Sequence, residues 1–145
     1  MIAIASDHAG YNLKLALIRQ LADRRLLYAD MGCNSPDPVD YPVYAKKVAD
    51  AVSSGQCELG ILCCGSGIGM SIAANKVNGI RAVCCSEPYS AKMSREHNNA
   101  NILCIGERVV GGGTAAEILS AFLDGEFQGG KHTPRVEMIM ALESE

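Results

Sequence analysis

The segment Leu59-Gly60-Ile61-Leu62-Cys63-Cys64, followed directly by Gly65-Ser66-Gly67-Ile68-Gly69, decides the fold of this chain. Its apolar first half predicts a short buried strand that ends in a thiol. The glycines that follow predict a tight turn, after which a helix begins. Such a turn lets several backbone N–H groups point at one anion, and the start of the helix adds positive potential. The segment therefore predicts an anion cradle beside Cys64.

Strand and helix patterns alternate along the chain on both sides of this segment. Short apolar runs predict four further strands, over residues 2–5, 26–31, 80–85 and 101–105. Apolar residues at helical spacing predict helices between them, with the second starting at Tyr44 and another capped by a box of Thr114 and Glu117. This alternation predicts an α/β fold, doubly wound and Rossmann-like, with three layers, a five-stranded parallel sheet and a C-terminal helix.

Composition places the chain among ordinary folded proteins of one domain, spanning residues 1–145. Hydrophobic residues make up 48% of the chain and charged residues 20%. The net charge of −3 argues against a nucleic-acid partner. No apolar stretch approaches the roughly 20 residues of a membrane span, and the start of the chain lacks the basic region of a secretory signal. We expect neither nucleic acid nor membrane as a partner.

Seven cysteines, none of them in a CxxC pair, point to the reducing cytoplasm. Four of them form the doublets Cys63-Cys64 and Cys84-Cys85. Adjacent residues of a strand point to opposite faces, so the two thiols of a doublet cannot easily share a metal ion. We expect one cysteine of each doublet to lie in the core, and we expect no metal site.

Side chains that can bind ligands or transfer protons follow the predicted strands at their carboxyl ends, where doubly wound sheets bind ligands. Asp7 and His8 follow the first strand, the glycine loop follows the third, and Arg108 follows the fifth. A helix-capping aspartate beside a surface histidine remains the alternative interpretation of the first pair. A dinucleotide fingerprint is excluded, because the glycines stand at 65, 67 and 69 and position 70 is Met70.

Two polar segments lie farther along the chain. His97 can donate or accept a proton near neutral pH, which suits opening a sugar ring, and Asn98 beside it can bond a hydroxyl. We place both in a segment between the fourth helix and the fifth strand, where a solvated loop is the alternative. Lys131 and Arg135, at the start of the last helix, can join Arg108 in holding a phosphate dianion, unless they simply form a charged helix terminus.

Several motifs together resemble one family, the sugar-phosphate isomerases of the ribose-5-phosphate isomerase type B group. They occur in the order and spacing of that family along essentially the whole chain. The motifs are Ser6-Asp7-His8-Ala9-Gly10, Asp40-Tyr41-Pro42, Cys64 to Gly69, Ala73-Ala74-Asn75-Lys76, Gly79-Ile80-Arg81-Ala82, His97-Asn98-Asn99-Ala100-Asn101 and Gly129-Gly130-Lys131-His132.

The resemblance implies interconversion of ribose 5-phosphate and ribulose 5-phosphate through a cis-enediolate, with no metal or organic cofactor. It assigns to Cys64 the proton transfer between C1 and C2, to Ser66 assistance with protons on the oxygens, and to His97 the opening of the furanose ring. The implied binding residues are Gly65, Gly67, Ile68 and Gly69 for the enediolate, Asp7, Tyr41 and Asn98 for the sugar, and His8, Arg108, Lys131 and Arg135 for the phosphate.

Two positions refine the resemblance. Some members use a glutamate just after the glycine loop as the base and lack the cysteine, whereas this chain has Met70 there and keeps Cys64. It therefore resembles the subclass with a cysteine base. Lys131 stands where the family usually has arginine, and lysine keeps the charge but loses the bidentate geometry. The resemblance also implies a homodimer or a dimer of dimers whose sites are shared between subunits.

Two other functions are open at this point. The nearer is an isomerase of a hexose 6-phosphate, allose 6-phosphate or galactose 6-phosphate, which uses the same chemistry on a sugar one carbon longer. The other is a non-catalytic module of flavodoxin-like shape that binds a nucleotide or a phosphate. A binding module has no need of a thiol base, so Cys64 together with His97 and Arg135 favours an isomerase.

Overall fold

The central strands of the sheet are apolar on both faces, and helices therefore cover both faces. A computed structural model describes residues 1–145. Nearly every residue of β1 (Ile2–Ser6), β3 (Leu59–Cys64) and β5 (Ile102–Gly106) is buried, as expected for strands inside a parallel sheet. The edge strands β2 (Tyr28–Asp30) and β4 (Ala82–Cys84) have three residues each and are more exposed.

The helices divide into two layers, which confirms the doubly wound α/β prediction. Their bounds are α1 Tyr11–Asp23, α2 Tyr41–Ser53, α3 Ile68–Ala74, α4 Pro88–Asn98, α5 Gly112–Asp124 and α6 His132–Ala141. Helices α1, α4 and α5 bury residues such as Leu17, Ala91 and Phe122 on one face of the sheet. Helices α2 and α3 bury Val48 and Met70 on the other. None of the helices is long and apolar enough to span a membrane.

The strand order brings three carboxyl ends side by side. All pairs are parallel, and the order across the sheet is β2-β1-β3-β5-β4. The chain leaves β1 toward one edge and returns through β3 on the other side, which makes β1 and β3 the switch point where such sheets bind ligands. Ser6 pairs with Cys63, and Cys64 pairs with Gly106. The loops after β1, β3 and β5 therefore meet at one place.

Two helices begin earlier than predicted. Helix α2 starts at Tyr41 rather than at Tyr44, because Asp40 is extended and Pro42 fits the first helical turn, where its missing N–H costs nothing. Helix α5 starts at Gly112, after Gly111 as its N-cap, and no side chain caps it. The predicted capping box of Thr114 and Glu117 is therefore wrong, since Thr114 already lies within the first turn.

The segment that carries His97 and Asn98 is helical, not a loop. Both residues form the last turn of α4, which ends at Asn99 in the left-handed conformation with φ of 47°. Asparagine tolerates this conformation better than most side chains. Because the turn is hydrogen-bonded backbone, His97 and Asn98 have fixed positions relative to the sheet.

The close packing of two loops explains Gly106 and generates a stability prediction. A Cβ at Gly106 would lie 2.5 Å from the carbonyl carbon of Ser66, whereas a Cβ at Gly113 would meet nothing within 4 Å. We expect Gly106→Ala to lower the free energy of unfolding by about 1–3 kcal/mol, because backbone cannot move aside cheaply. Gly113→Ala, the matched control, should leave it unchanged or raise it slightly. Urea denaturation measures both, and equal stability of the two variants would contradict the packing argument.

Candidate active site

A cleft of about 680 Å³ opens at the carboxyl ends of β1, β3 and β5. It brings together most of the residues that the sequence predicts for the site. Its lining consists of Asp7, His8, Ala9, Tyr41, Cys64, Gly65, Ser66, Ile68, Gly69, Ile72, Arg108 and Val109. Of these, Ala9, Ile72 and Val109 carry no functional group and were not predicted from the sequence. They contribute apolar wall to a cleft whose chemistry comes from the other residues.

One backbone amide of the glycine loop donates to the thiol of Cys64. Gly67 has a φ of 80°, which a glycine adopts without strain, and its amide donates to Cys64 Sγ at 3.1 Å. Such a bond strengthens when the sulfur carries a negative charge. The amide of Ile68 donates to Ser66 Oγ at 3.2 Å. The amides of Gly65, Ser66, Gly69 and Met70 have no acceptor within the protein, so they are available to an anion in the cleft.

The two thiols of the first doublet are both buried, but they lie on opposite faces of the sheet. Cys63 packs into the layer of α1 and α5, and Cys64 packs toward α2 and α3 with an edge in the cleft. Burial, followed by the nearby Cys64, raises the pKa of Cys63 far above its ordinary value. Cys63 is therefore a neutral, inert thiol. In the second doublet Cys85 is buried and Cys84 is exposed, so one cysteine there is core, as predicted.

Asp7 and His8 are both oriented by backbone amides. Asp7 Oδ1 accepts the Gly10 amide at 3.0 Å, which closes the turn into α1 and leaves the second carboxylate oxygen for a ligand. His8 Nδ1 accepts the Val39 amide at 3.1 Å. That bond assigns the proton of a neutral imidazole to Nε2, so His8 can offer an N–H donor to the cleft.

Tyr41 and Arg108 lie at the two ends of the glycine loop, Tyr41 beside Gly69 and Arg108 beside Gly65. The Tyr41 ring lies so close to Gly69 that a Cβ there would be 2.6 Å from the ring. Arg108 donates its amide to the Gly65 carbonyl at 3.0 Å, and Glu107 donates its amide to the Cys64 carbonyl at 2.9 Å. These bonds attach the loop after β5 to the loop after β3 and hold Arg108 at the cleft.

Glu107 has a structural role that was not predicted from the sequence. Its carboxylate accepts the Leu13 amide at 2.6 Å, across 94 residues of chain. Leu13 is in the first turn of α1, and no side chain of that helix caps it. A carboxylate there satisfies a free amide and interacts favourably with the helix dipole. Its place before Arg108 was visible in the sequence, but nothing local indicated which helix it would meet.

The remaining predicted residues form a second group, away from the cleft. His97 stacks on His132 with ring centroids 4.2 Å apart and planes inclined by 12°. Asn98 lines a separate pocket of about 390 Å³. Lys131 is the N-cap of α6, and Arg135 follows within its first turns. One protomer therefore keeps Cys64 and the glycine loop apart from the predicted ring-opening histidine.

His132 belongs to this second group, although the sequence predicts no role for it. Partial burial, followed by the charges of His97, Lys131 and Arg135, lowers the pKa of His132. The imidazole is therefore neutral at physiological pH. No group of three or more His, Cys, Asp or Glu side chains comes together as a metal site.

Comparison with known proteins identifies the family. The family model described as Ribose/Galactose Isomerase matches residues 2–139. This chain belongs to that family. Among the relatives of this isomerase is ribose-5-phosphate isomerase B of Escherichia coli strain K12, 50% identical over 98% of this chain and 95% of the relative.

Solved structures agree with the family assignment over the whole length of the chain. The ribose-5-phosphate isomerase B of Clostridium thermocellum has a TM-score of 0.97 and 52% identity, covering 99% of this chain and 97% of the other. That of Mycoplasma genitalium, with bound ribulose-5-phosphate, has a TM-score of 0.95 and 39% identity, covering 99% and 96%. The fold of this isomerase is thus that of the family throughout.

The carboxylate of Glu107 generates a prediction on stability. Glu107→Ala should lower the free energy of unfolding by about 1–2 kcal/mol, because it leaves the Leu13 amide without an acceptor. Glu117→Ala is the control, since Glu117 is exposed on α5, and it should change stability by less than about 0.5 kcal/mol. Chemical denaturation compares the two. An equal, small loss in both variants would mean that the Glu107 bond contributes nothing.

Proposed function

We propose that this protein interconverts ribose 5-phosphate and ribulose 5-phosphate. The observation that carries the proposal is the position of Cys64, whose thiol lies at the cleft beneath a glycine loop with free amides. The chain belongs to the isomerase family, and relatives named ribose-5-phosphate isomerase B match almost its whole length. Both findings support the same activity. A pure phosphate-binding module would need the amides but not the thiol.

The chemistry of the cleft fits a proton shift between neighbouring carbons. Cys64 as thiolate takes the proton from C2 of the open-chain aldose, and the electron pair moves through C1 to O1, forming an enediolate. The free amides of the loop stabilise the oxygen charge that develops. Ser66 carries a proton from O2 to O1, and the Cys64 thiol returns its proton to C1. The net result is a ketose, with the enzyme restored.

Sugar and phosphate contacts come from both groups of residues. In the cleft, Asp7 and Tyr41 would bond sugar hydroxyls, while His8 and Arg108 would hold the phosphate. From the second group, Asn98 would contact the sugar, and His97 would open the furanose ring. Lys131 and Arg135 would add positive charge to the phosphate site, with Lys131 as a point charge where arginine would be bidentate.

A second copy of the chain would bring the two groups together. We propose that His97, Asn98, Lys131 and Arg135 of one subunit complete the cleft of another, in a homodimer or a dimer of dimers. Exposed apolar side chains near both groups support such a contact. They are Ile68, Ile72 and Val109 at the cleft, and Met138 and Ile139 on α6. We also propose a cytoplasmic location, which seven free cysteines favour.

One assay tests the substrate. The purified protein is incubated with ribose 5-phosphate, allose 6-phosphate and galactose 6-phosphate, and ketose formation is measured for each. We expect the pentose phosphate to be isomerised with the highest kcat/KM. Preference for a hexose 6-phosphate would replace the substrate in the proposal, and no turnover of any of the three would overturn the isomerase function.

The cysteine doublet provides a matched pair of variants. Cys64→Ala should reduce kcat by a factor of about 1,000 or more while the sugar phosphate still binds, because the base is gone and the binding residues remain. Cys63→Ala should keep kcat near the wild-type value, since that thiol is buried on the other face of the sheet. Steady-state kinetics and equilibrium binding measure both. Near-normal kcat in Cys64→Ala would place the base elsewhere.

Complementation tests whether two copies share each site. Cys64→Ala and His97→Asn should each isomerise ribose 5-phosphate much more slowly than the wild type when expressed alone. When the two variants are co-expressed, one site of every mixed dimer would contain an intact Cys64 and an intact His97. Random pairing would then restore about a quarter of the wild-type activity per subunit. Absence of any recovery, with mixed dimers present by mass spectrometry, would contradict shared sites.

A further inference from the structure

Helix α6 is held to the rest of the protomer by few contacts. Of its residues only Val136 is buried, whereas Met138 and Ile139 are exposed. A helix with so little buried apolar surface gains little stability from packing. Its position in the protomer therefore depends on the contacts at its two ends.

At its start, α6 is joined to α4 by an aromatic stack. The centroids of the His132 and His97 rings lie 4.2 Å apart and their planes are inclined by 12°, so the two rings form a close, nearly parallel stack. No hydrogen bond from either imidazole to the protein accompanies the stack. Partial burial, followed by the charges of His97, Lys131 and Arg135, lowers the pKa of His132, which favours a neutral His132 ring in the stack. The face of His97 is thus fixed by one partner, the His132 ring.

At its other end, α6 is joined to α4 through Arg81. The Arg81 Nε donates to the carbonyl of Asn99, the residue that ends α4, at 2.8 Å. The same guanidinium reaches the sulfur of Met140 at 3.2 Å. Glu143, just after α6, accepts the Gly79 amide at 2.8 Å. These contacts keep α6 in place along α4, so the stack at its start has a fixed geometry.

We infer that His132 is a positioning residue for His97, acting through the ring stack that joins α6 to α4. The inference rests on the proposed function, in which His97 opens the ring of the substrate. Opening a ribofuranose moves the O1 hydroxyl proton to an acceptor, breaks the bond between C1 and the ring oxygen, and delivers a proton to that oxygen. A single imidazole serves both atoms only if its ring plane is held, because a displacement of about 1 Å lowers such rates steeply.

Two substitutions separate the stack from other properties of His132. His132→Ala removes the ring, and His132→Phe keeps a flat aromatic ring that cannot titrate or donate. Two reactions separate ring opening from proton transfer. The first is isomerisation of ribose 5-phosphate, which requires an open ring. The second is exchange of a C1 hydrogen of ribulose 5-phosphate with D2O, because this acyclic ketose reaches the enediolate without any ring step.

For His132→Ala we expect kcat for ribose 5-phosphate to fall by about tenfold or more, while kcat for C1 exchange stays within about threefold of wild type. His132→Phe should recover most of the lost isomerisation. His97→Asn should likewise lose isomerisation and keep C1 exchange, whereas Cys64→Ala should lose both reactions. A displaced Lys131 or Arg135 would instead raise KM for both sugars equally. Retained exchange also demonstrates that the variant is folded.

Three outcomes would overturn the inference. His132→Ala could keep the wild-type rate of isomerisation, or it could lose isomerisation and C1 exchange together. His132→Phe could also fail to restore isomerisation. In each case an active wild-type enzyme leaves the proposed function intact. If the wild-type protein catalyses neither isomerisation nor exchange, the proposed function itself fails, and the role of His132 fails with it.

Discussion

The parallel pairing of β3 with β1 on one side and β5 on the other is the constraint on which the site depends. It places Cys63 beside Ser6 and Cys64 beside Gly106. The ladder continues past the strands, since the Asp7 amide donates to the Cys63 carbonyl and the Glu107 amide to the Cys64 carbonyl. Three loops that are distant in the chain are therefore fixed against one another by backbone hydrogen bonds alone.

Strand alternation then decides which thiol can do chemistry. Consecutive residues of β3 point to opposite faces. Cys63 therefore packs into the apolar layer of α1 and α5, and Cys64 lies at the cleft. Burial raises the pKa of Cys63 and keeps it neutral. Cys64 instead receives an amide hydrogen bond from Gly67 and has unbonded amides beside it. Two residues of the same type thus lie in different surroundings because of the pleat of one strand.

The protomer separates the groups proposed for proton transfer from those proposed for ring opening. The cleft holds the thiol and the anion cradle, while His97 and His132 lie at the junction of α4 and α6. A site assembled from two copies would make activity depend on assembly, because neither group suffices alone. The position of α6 would then matter for function, although its single buried residue contributes little to the stability of the fold. The contacts of Arg81 at the end of α4 are then as relevant to catalysis as those of the sheet.

Local patterns along the chain were enough to predict the strands and the residues around the glycine loop. Apolar runs predicted the strands, and the glycine loop after β3 predicted the anion cradle and the thiol beside it, because these are local properties of the chain. Two helix starts, at Tyr41 and Gly112, differed from the prediction because caps compete within one turn. The bond from the Leu13 amide to Glu107 and the stack of His97 on His132, away from Cys64, became visible in the folded chain alone. Such contacts join residues far apart in the chain, and their partners follow from packing that no local pattern encodes.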